Sequence, residues 1–404
     1  MVTTADQNLV RKFNTAVVLN TIRHHAPLSR AEVAKHTGLN RSTVSQIINT
    51  LLDRKLVQET ILQSDRVGRP GLLLELNPAG GFAIGLEIGV NYITLVMTDF
   101  LANVLWRERR KLEVNINIDQ ILETAYKMTE AAIQKGHALN LTPLGIGLGV
   151  PGLVDLQHGE LKFAPNLGWT NIPISSLWSQ HFNLPIFVDN EAKAAALGEY
   201  YFGAARGEQN FIFLTGGVGL GAGIMIDGHL FRGSHGFASE VGHMIMDPNG
   251  EQCGCGKFGC WETQVSPRAV IRRFRESLRQ GLPSMVMESA DNDLDNIMFE
   301  TIANAARQGD HAATAVIQEV GEHLGFGIAN LVNVFNPDLV ILGGELNYAG
   351  DLLLPVVRKI VNNNALELEC QNLIIAASAH GQDACVMGAI ALVLDDILHE
   401  PNFN

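Results

Sequence analysis

Three of the five cysteines lie close together in the segment EVGHMIMDPNGEQCGCGKFGCWE, residues 240–262. They are Cys253, Cys255 and Cys260, and His243 precedes the first of them by ten residues. Three thiolates and one imidazole form a suitable donor set for tetrahedral zinc, and the intervening glycines let the backbone wrap around an ion. The alternative is a loop with three reduced, buried thiols. We expect structural zinc without metal catalysis, because four protein ligands leave no open coordination position.

The overall composition excludes several classes of protein. With 404 residues, of which 47% are hydrophobic and 18% charged, the chain is long enough for two or three folded domains. The first residues lack the long apolar stretch of a signal peptide. The longest uncharged run, NFIFLTGGVGLGAGIMI, carries five glycines, as strands and loops do. We therefore expect a cytoplasmic protein with reduced cysteines and no membrane insertion.

The net charge of −13 is unevenly distributed along the chain. Residues 1–75 contain ten Lys and Arg against six Asp and Glu, a balance of +4, which leaves −17 for the remainder. A basic N-terminal module on an acidic body directs only one end of the molecule toward a polyanion such as DNA. The excess is modest, so the charge alone does not establish DNA binding.

The segment LSRAEVAKHTGLNRSTVSQIINTLLDRKL indicates two helices joined by a glycine-containing turn, the helix-turn-helix pattern. Ser29 and Glu32 form a capping box for the first helix, which we expect to end near Gly38. Its inward residues are expected to be Ala31, Val33 and Ala34. The second helix starts at Arg41 or Ser42, and its buried face should comprise Val44, Ile47, Ile48 and Leu51. An upstream helix at about 7–25 should brace this pair.

The outward face of the second helix carries side chains suited to phosphates and base edges. We assign DNA contact there to Arg41, Ser42, Thr43, Ser45 and Gln46. Two strand-like runs follow, joined by SDRVGRPG, in which Arg66 and Arg69 are typical of an arm that enters an A·T-rich minor groove. Residues 1–77 are therefore predicted to form a winged-helix DNA-binding domain. The alternative is an ordinary helical hairpin with a polar outer face.

The remainder of the chain indicates a duplicated α/β scaffold. Residues 82–99 are predicted to form a strand, a glycine turn and a returning strand, and residues 210–228 repeat that design. Each copy is followed by long helical stretches, at 118–135, 191–202, 294–308 and 311–335. A late strand at 338–346 and a last helix at about 382–398 complete the pattern. We predict two lobes with a cleft between them, the first comprising 80–193 plus 381–404 and the second 194–380. The second lobe would carry the cysteine loop and a dimerisation surface.

Several segments resemble the ROK family of repressors, open reading frames and kinases, within the actin/hexokinase-like superfamily. They are GVPGLVD at 149–155, APNLGW at 164–169, VDNEAKAAALGE at 188–199, EVGHM at 240–244 and CGCGKFGCWE at 253–262. The resemblance implies a structural zinc held by the residues that match His243, Cys253, Cys255 and Cys260. The N-terminal winged helix is similar to that of the family's transcriptional repressors, and the sugar kinases of the family lack such a domain.

The resemblance also implies a sugar site in the cleft. Carboxylates and amides bind sugar hydroxyls through paired hydrogen bonds. The implied contacts are Gly152, Asn166, Asn190, Glu191, Glu240, His243 and Glu262. Taken without the surrounding motifs, Asn166 and Asn190 are more typical of turn or cap residues.

Kinase activity is not expected, because the motifs that a kinase of the family needs are altered here. Glu191 stands in place of the aspartate base, and one added methylene moves a carboxylate by roughly 1 Å, which costs about 100-fold in rate. Glu87 replaces an aspartate that helps to position the metal–nucleotide, and Asn91 replaces a threonine. Val90 replaces a glycine at which phosphate approaches the backbone. Lys193 also replaces a usual asparagine, whereas the glycine-rich loop LTGGVGLGAG is kept.

The sequence thus predicts a sugar-responsive transcriptional repressor without catalytic residues. We expect a homodimer, or a tetramer built from dimers, that reads an inverted-repeat operator and releases or binds it according to sugar in the cleft. Glu191 resembles the xylose-type regulators of the family, which favours xylose over glucose. Two alternatives stay open. One is an active ATP-dependent sugar kinase with an added DNA-binding domain, and the other is a repressor sequestered by a partner protein.

Overall fold

The computed structural model describes residues 6–61, 72–113, 116–289 and 293–399. The N-terminal head contains three helices and a two-stranded hairpin. These elements are α1 Gln7–His25, α2 Arg30–Thr37, α3 Arg41–Asp53, β1 Val57–Ile61 and β2 Leu72–Leu76. The hairpin is antiparallel, from Val57 opposite Leu76 to Ile61 opposite Leu72. Arg66 and Arg69, which we predicted to enter a minor groove, lie outside the described residues.

Local signals in the sequence set the helix ends of the head. The Ser29 side chain accepts a hydrogen bond from the Glu32 amide while Glu32 accepts one from the Ser29 amide, which completes the predicted capping box. Gly38 ends α2 with a φ of 70°, a conformation that favours glycine. Asn40 caps α3 by accepting a bond from the Thr43 amide at 2.8 Å. The prediction that Ala31 is buried was wrong. It lies in the first turn of α2 on the exposed side, whereas Val33 and Ala34 are buried.

The first lobe is built on a five-stranded mixed sheet in the order β10-β6-β3-β4-β5. Its strands are β3 Phe82–Ile88, β4 Tyr92–Asp99, β5 Val104–Lys111, β6 Pro143–Val150 and β10 Ile186–Asn190. A small antiparallel sheet comprises β7 Leu153–Asp155, β8 Glu160–Ala164 and β9 Trp169–Ile172. The lobe also contains helices α4 Ile118–Ala138 and α5 Ile174–Phe182. The three central strands β3, β4 and β6 are almost wholly buried, which is why they read as apolar runs in the sequence, whereas the edge strand β5 is mostly exposed and charged.

The second lobe repeats the design with the sheet order β13-β12-β11-β14-β15. Its strands are β11 Phe211–Gly216, β12 Leu220–Ile226, β13 His229–Leu230, β14 Leu339–Gly344 and β15 Ile374–Ala377. Its helices are α7 Glu262–Val265, α8 Pro267–Arg279, α9 Val286–Ser289, α10 Phe299–Arg307, α11 His311–Phe335, α12 Gly350–Asn364 and α13 Glu367–Cys370. The helix that we predicted at 294–308 is divided into a 3₁₀ turn at Leu294–Asn296 and the shorter α10.

Two helices, α6 Glu191–Phe202 and α14 Ala384–His399, pack against each other between the two sheets. Their backbones touch at Gly388, where an added Cβ would lie 1.7 Å from the carbonyl oxygen of Ala194. α14 is equally close to the first sheet, since a Cβ at Gly147 would lie 1.9 Å from the carbonyl oxygen of Ala389. On the other side, α6 packs on β12, where a Cβ on Gly223 would meet Ala196 at 2.4 Å. The glycines therefore allow two helices to fit between the sheets.

The head joins the body through this helix pair. A single apolar cluster runs from Val18, Leu19 and Ile22 of α1 into buried residues of α6 and α14. The Asn20 side chain donates to the carbonyl oxygen of Leu398 at 2.8 Å, which ties α1 to the end of α14. The predicted domain limits stay a prediction, and the limit at 193 and 194 falls inside α6. None of the helices in the described ranges combines the length and apolarity that a bilayer crossing needs.

The close packing of α6 on α14 predicts that Gly388→Ala is strongly destabilising. The nearest atoms are backbone atoms of α6, which cannot rotate away as a side chain does, so the helices must separate. Overpacking of this kind costs about 1–3 kcal/mol or more. A thermal denaturation series should show a lowered Tm. Gly350→Ala on α12 is the matched control, because its added methyl meets atoms only at 3.8 Å. Equal Tm values for the two variants would contradict the close contact.

Candidate functional site

A cleft of about 330 Å³ lies where the two lobes meet. Groups of both lobes line it, including the amino-terminal end of α6, the β3–β4 turn, the glycine-rich turn between β11 and β12, and the cysteine loop. The structure brings all seven residues of the predicted sugar site to this cleft. These are Gly152, Asn166, Asn190, Glu191, Glu240, His243 and Glu262. A volume of this size is in the range of small-molecule sites.

Asn190 and Glu191 reach the cleft because β10 ends there and α6 begins. The Asn190 side-chain oxygen caps α6, accepting from the amides of Ala192 and Lys193 at 2.9 and 3.2 Å. Its amide nitrogen donates to the carbonyl oxygen of Gly152 at 2.9 Å. Asn190 therefore acts as a helix cap in this structure, which is the alternative that we considered for it. The same contacts fix the orientation of the first turn of α6 against the β6–β7 turn.

The opposite wall near Gly152 is shaped by the small antiparallel sheet. Gly152 has a φ of 108°, and a Cβ there would lie 2.3 Å from the carbonyl oxygen of Phe163, so both backbone conformation and space require glycine. Asn166 is exposed in the turn between β8 and β9. Its side-chain oxygen lies close to Gly254 of the cysteine loop. This turn and the cysteine loop thus face each other at the rim of the cleft.

Two carboxyl groups at the floor of the cleft hold their protons unusually tightly. Burial, followed by the negative charges of Glu87 and Glu240, raises the pKa of Glu191 to about 8. Burial raises the pKa of Glu87 to about 7, although the hydrogen bond from Tyr92 and the charge of Arg109 partly offset it. One carboxyl oxygen of Glu87 is buried with no hydrogen-bond partner among the described residues. At neutral pH the carboxyl group of Glu191 is therefore mainly protonated, so it can both donate and accept hydrogen bonds.

Tyr92 and Arg109 are cleft residues that sequence reasoning missed. The Tyr92 hydroxyl donates to Glu87 at 2.5 Å, and the Arg109 guanidinium stacks on the Tyr92 ring at 4.0 Å. The ring fills the space above Gly89, where a Cβ would lie 2.7 Å from it. Tyr92 was visible as a neighbour of the altered residues Val90 and Asn91, but Arg109 lies on another strand and carries no motif. Both side chains line the cleft next to the β3–β4 turn, as does the glycine-rich turn of the second lobe.

The four predicted metal ligands converge beside the cleft. The ligand atoms of His243, Cys253, Cys255 and Cys260 lie within 4.8 Å of one another. The sulfur atoms of Cys255 and Cys260 are 3.7 Å apart, and Nδ1 of His243 is 3.6 Å from the sulfur of Cys253. A tetrahedral ion with metal–sulfur bonds of about 2.3 Å requires sulfur–sulfur edges of about 3.8 Å. The residues present therefore fit a metal ion in both donor type and spacing.

The cysteine loop is fixed by its backbone and by the second lobe. The Cys253 amide donates to Lys257 at 2.8 Å and the Gly256 amide to Cys253 at 2.9 Å, which forms a tight turn around the sulfur atoms. Trp261 is fully buried, and its indole nitrogen donates to the carbonyl oxygen of His323 on α11 at 3.1 Å. Next to it, Glu262 lies with one oxygen 2.7 Å from the Cys253 sulfur. The cluster of cysteines and His243 and the cleft carboxylate of Glu262 thus lie in direct contact in one segment.

The predicted DNA contacts lie at the start of α3, at the far side of the head. Arg41, Ser42 and Gln46 are exposed, and Thr43 and Ser45 are half-buried. Ser42 donates to the capping side chain of Asn40 at 2.7 Å, so part of this surface supports the helix end. The buried face of α3 consists of the four predicted apolar residues, and Asn49 on its polar face accepts a hydrogen bond from Arg30 at 2.9 Å.

Comparison with known proteins places this geometry in a family. Residues 83–396 match the model of the ROK family, and residues 12–67 match that of the MarR family. The chain belongs to the ROK family. Its body is the actin/hexokinase-like α/β fold of that family, and its head is a winged helix-turn-helix, as the sequence predicted. The ROK match covers both lobes, the cleft and the cysteine loop.

Individual relatives agree with this assignment. The chain is 36% identical to the xylose repressor of Caldicellulosiruptor bescii over 398 residues. This alignment covers 98% of the present chain and 99% of the relative. A ROK family transcriptional regulator, a homologue of the E. coli MLC protein, superposes with a TM-score of 0.85 at 30% identity, covering 97% and 98% of the chains. A ROK family glucokinase from Streptomyces griseus, in complex with glucose and AMPPNP, gives 0.70 at 33% identity, covering 77% of this chain and 99% of its own.

The raised pKa of Glu191 predicts a pH-dependent effect of Glu191→Gln. The folded protein keeps this proton up to about pH 8, whereas the unfolded chain releases it near the ordinary pKa of glutamate, so the group makes stability fall as pH rises between these values. The Tm of Glu191→Gln relative to the unsubstituted protein should therefore increase from pH 5 to pH 8 and then level off. The exposed Glu367→Gln is the control. A difference that does not change with pH would show that Glu191 is ionised in the folded protein.

Proposed function

We propose that this protein is a transcriptional repressor whose operator affinity is set by a monosaccharide bound in the interlobe cleft. The observation that carries the proposal is the combination of a winged helix-turn-helix and a polar small-molecule cleft on one chain, joined by a shared helix pair. A relative named as a xylose repressor is 36% identical over 98% of the present chain, which includes both the head and the cleft residues. Fold alone would not distinguish a sensor from a kinase, so the proposal depends on the residues of the cleft.

The cleft supports xylose as the first sugar to test, with glucose next. Carboxyl and amide groups from both lobes converge there, namely those of Asn166, Asn190, Glu191, Glu240 and Glu262, together with the imidazole of His243. Such groups pair with vicinal hydroxyls, and a protonated Glu191 supplies a donor as well as an acceptor. The relative from Caldicellulosiruptor bescii bears the name of xylose repressor, which is the second reason to begin with a pentose.

Phosphoryl transfer is not part of the proposed function. Transfer depends on a positioned base and on charge stabilisation of the phosphates. Here the Glu191 carboxyl favours its protonated form at neutral pH, so it is a poor general base. Glu87 accepts a hydrogen bond from Tyr92 in place of a metal–nucleotide contact, and Val90 adds a branched side chain to the turn that faces the glycine-rich loop. These features support a cleft that binds a sugar without phosphorylating it.

The helix pair supplies a mechanical route from the cleft to the head. α6 begins at Glu191 in the cleft and spans about 18 Å, and α14 begins beside Cys385 and spans about 24 Å. Their far ends contact α1, through Tyr201 beneath the Arg23 guanidinium and through Leu398 bonded to Asn20. A sugar that favours one lobe arrangement would tilt this pair and change the placement of the head. A coupling of roughly 1–3 kcal/mol is enough for a useful switch.

Operator recognition would use two heads of a homodimer, alone or paired into a tetramer. A two-fold symmetric protein matches an inverted repeat, with one α3 in each of two successive major grooves. Arg41, Ser42, Thr43, Ser45 and Gln46 would reach phosphates and base edges, and Arg66 and Arg69 would reach the minor groove. Because the head carries the excess of positive charge, binding should weaken as the salt concentration rises.

The metal that fits the cysteine loop best is zinc. Three thiolates and one imidazole in a tetrahedral spacing favour zinc over harder divalent ions. His243, Cys253, Cys255 and Cys260 would hold it, and it would supply a cross-link that keeps the loop in shape. Its function would be structural, with Glu240 and Glu262 placed on either side of the loop for the sugar.

A structural zinc predicts a defined metal content and a stability cost for its removal. Elemental analysis of the purified protein should give about one zinc per chain, and Cys260→Ser should lose it. The Tm should fall by about 5 °C or more, since 1 kcal/mol corresponds to roughly 2–4 °C in a domain of this size. Cys370→Ser, outside the cluster, is the matched control and should keep the metal. A zinc-free protein with an unchanged Tm would contradict the assignment.

Operator binding titrated with sugars tests the proposed switch. With the natural operator, xylose or glucose should change the affinity of the full-length protein in a saturable way. Glu240→Gln replaces a charged partner of the sugar hydroxyls by a neutral one, so the sugar concentration at the midpoint should rise about tenfold. Glu367→Gln, exposed on α13, should leave the midpoint unchanged.

Two results would redirect the proposal. In the first, no monosaccharide alters operator affinity, but a specific protein captured from a cell extract without sugar does alter it. Control by a sequestering partner would then replace control by sugar. The retained glycine-rich loop lines the cleft opposite Glu87, which is why kinase activity is the other outcome to measure. Release of ADP at about 1 s⁻¹ or faster with any of the sugars would identify an enzyme.

A further inference from the structure

A second, larger cavity of about 680 Å³ lies at the junction of the head and the body, away from the sugar cleft. α1 of the head forms one wall, and the ends of α6 and α14, the loop after α6 and the turn around β13 form the others. The lining has an unusual share of cationic and imidazole side chains. We name it the cationic cavity, after its residues Arg23, His24, Arg206, His229, Arg232 and His399.

Little negative charge balances these groups within the cavity. Among the described residues of the lining, Asp395 is the one acidic residue, and it already accepts hydrogen bonds from the Tyr201 hydroxyl and from His399, the latter at 3.0 Å. Arg232 pairs with the buried Asp189 at 2.8 Å. Within the described residues, neither Arg23 nor Arg206 has a carboxylate oxygen within 4.0 Å.

The positive charge of Arg206 acts on the two cationic residues of α1 in this cavity. Burial, followed by the charges of Arg23, His25 and Arg206, lowers the pKa of His24. Burial lowers the pKa of Arg23, and the charge of Arg206 adds to that effect while Tyr201 opposes it. Two guanidinium groups that face the same space repel each other, Asp395 offsets only part of that repulsion, and a bound anion would reduce it further. A guanidinium group can bind a phosphate through two parallel hydrogen bonds. This paired contact uses the planar geometry of the guanidinium better than a single hydrogen bond to one carboxylate oxygen does.

We propose that the cationic cavity is a binding site for a small metabolite that carries one or two phosphate groups. The volume accommodates a molecule of the size of a sugar bisphosphate. Arg23 and His24 would bind it from the head, and Arg206, His229 and His399 from the body. A bound phosphate would therefore bridge the head and the body and favour the head position seen here. The site is distinct from the proposed sugar cleft, since the two share none of their lining residues.

Calorimetric titration of the full-length protein at constant ionic strength tests the site. The probes are inorganic phosphate, pyrophosphate and fructose 1,6-bisphosphate, with citrate as an anion that lacks phosphate. At least one phosphate probe should bind with one site per chain and more tightly than citrate. Arg206→Gln should weaken that binding about tenfold or more, because a charge-assisted contact is lost. Arg206→Lys keeps the charge but not the paired geometry and should be intermediate.

The controls separate this site from the other surfaces of the protein. Arg206 is exposed, so its substitution should leave folding intact, which the Tm and sugar binding would verify. Arg268→Gln, also exposed but on α8, should not change phosphate affinity. Because sugar and phosphate would both act on the head position, saturating xylose should change the phosphate affinity only to a limiting value, as coupled but separate sites do. Equal affinity of the Arg206 and Arg268 variants, purely competitive displacement by xylose, or no saturable binding of any phosphate probe would overturn the proposal.

Discussion

The close contact between α6 and α14 is the constraint on which the rest of the structure depends. Two helices fit between two sheets only where the contacting residues are small, and Gly388 and Gly147 supply this at the tightest approaches. The first turns of these helices reach the cleft, and their last turns contact α1. A change in lobe orientation therefore cannot leave the helix pair unaffected, because packed interiors transmit displacement with little compression.

Much of the fold could be predicted from the sequence because its signals are local. The capping box at Ser29, the left-handed Gly38 and the apolar faces of α1 and α3 determine the head without reference to distant residues. The two repeated hairpins of the body can likewise be predicted, because each consists of two apolar runs joined by a glycine-containing turn. Ala31 was misassigned because a residue in the first turn of a short helix has few neighbours, and the face it occupies depends on tertiary packing.

The candidate site was predictable only in part, for the same reason. Motifs in the sequence pointed to residues of the cleft from both lobes and to the cysteine cluster. Arg109 could not be found, since it belongs to the cleft only because β5 pairs with β4 in the register that places it over Tyr92. The raised pKa of Glu191 is likewise a property of burial and of neighbouring carboxylates. Neither the burial of Glu191 nor its neighbours in space can be predicted from the residues that flank it in the sequence.

These features suggest how a kinase-like cleft can serve as a sensor. A kinase needs a nucleotide opposite its sugar and a base that is ionised when the sugar arrives. In this chain, Tyr92 and Arg109 pack beside the turn that would face the phosphates, and burial raises the pKa of Glu87 to about 7 and that of Glu191 to about 8. Such a cleft retains hydrogen bonds for a sugar while lacking a charge to activate its hydroxyl. In the proposed function, the free energy of sugar binding would be available to move the lobes, and the helix pair that connects them to α1 would carry that movement to the DNA-binding head.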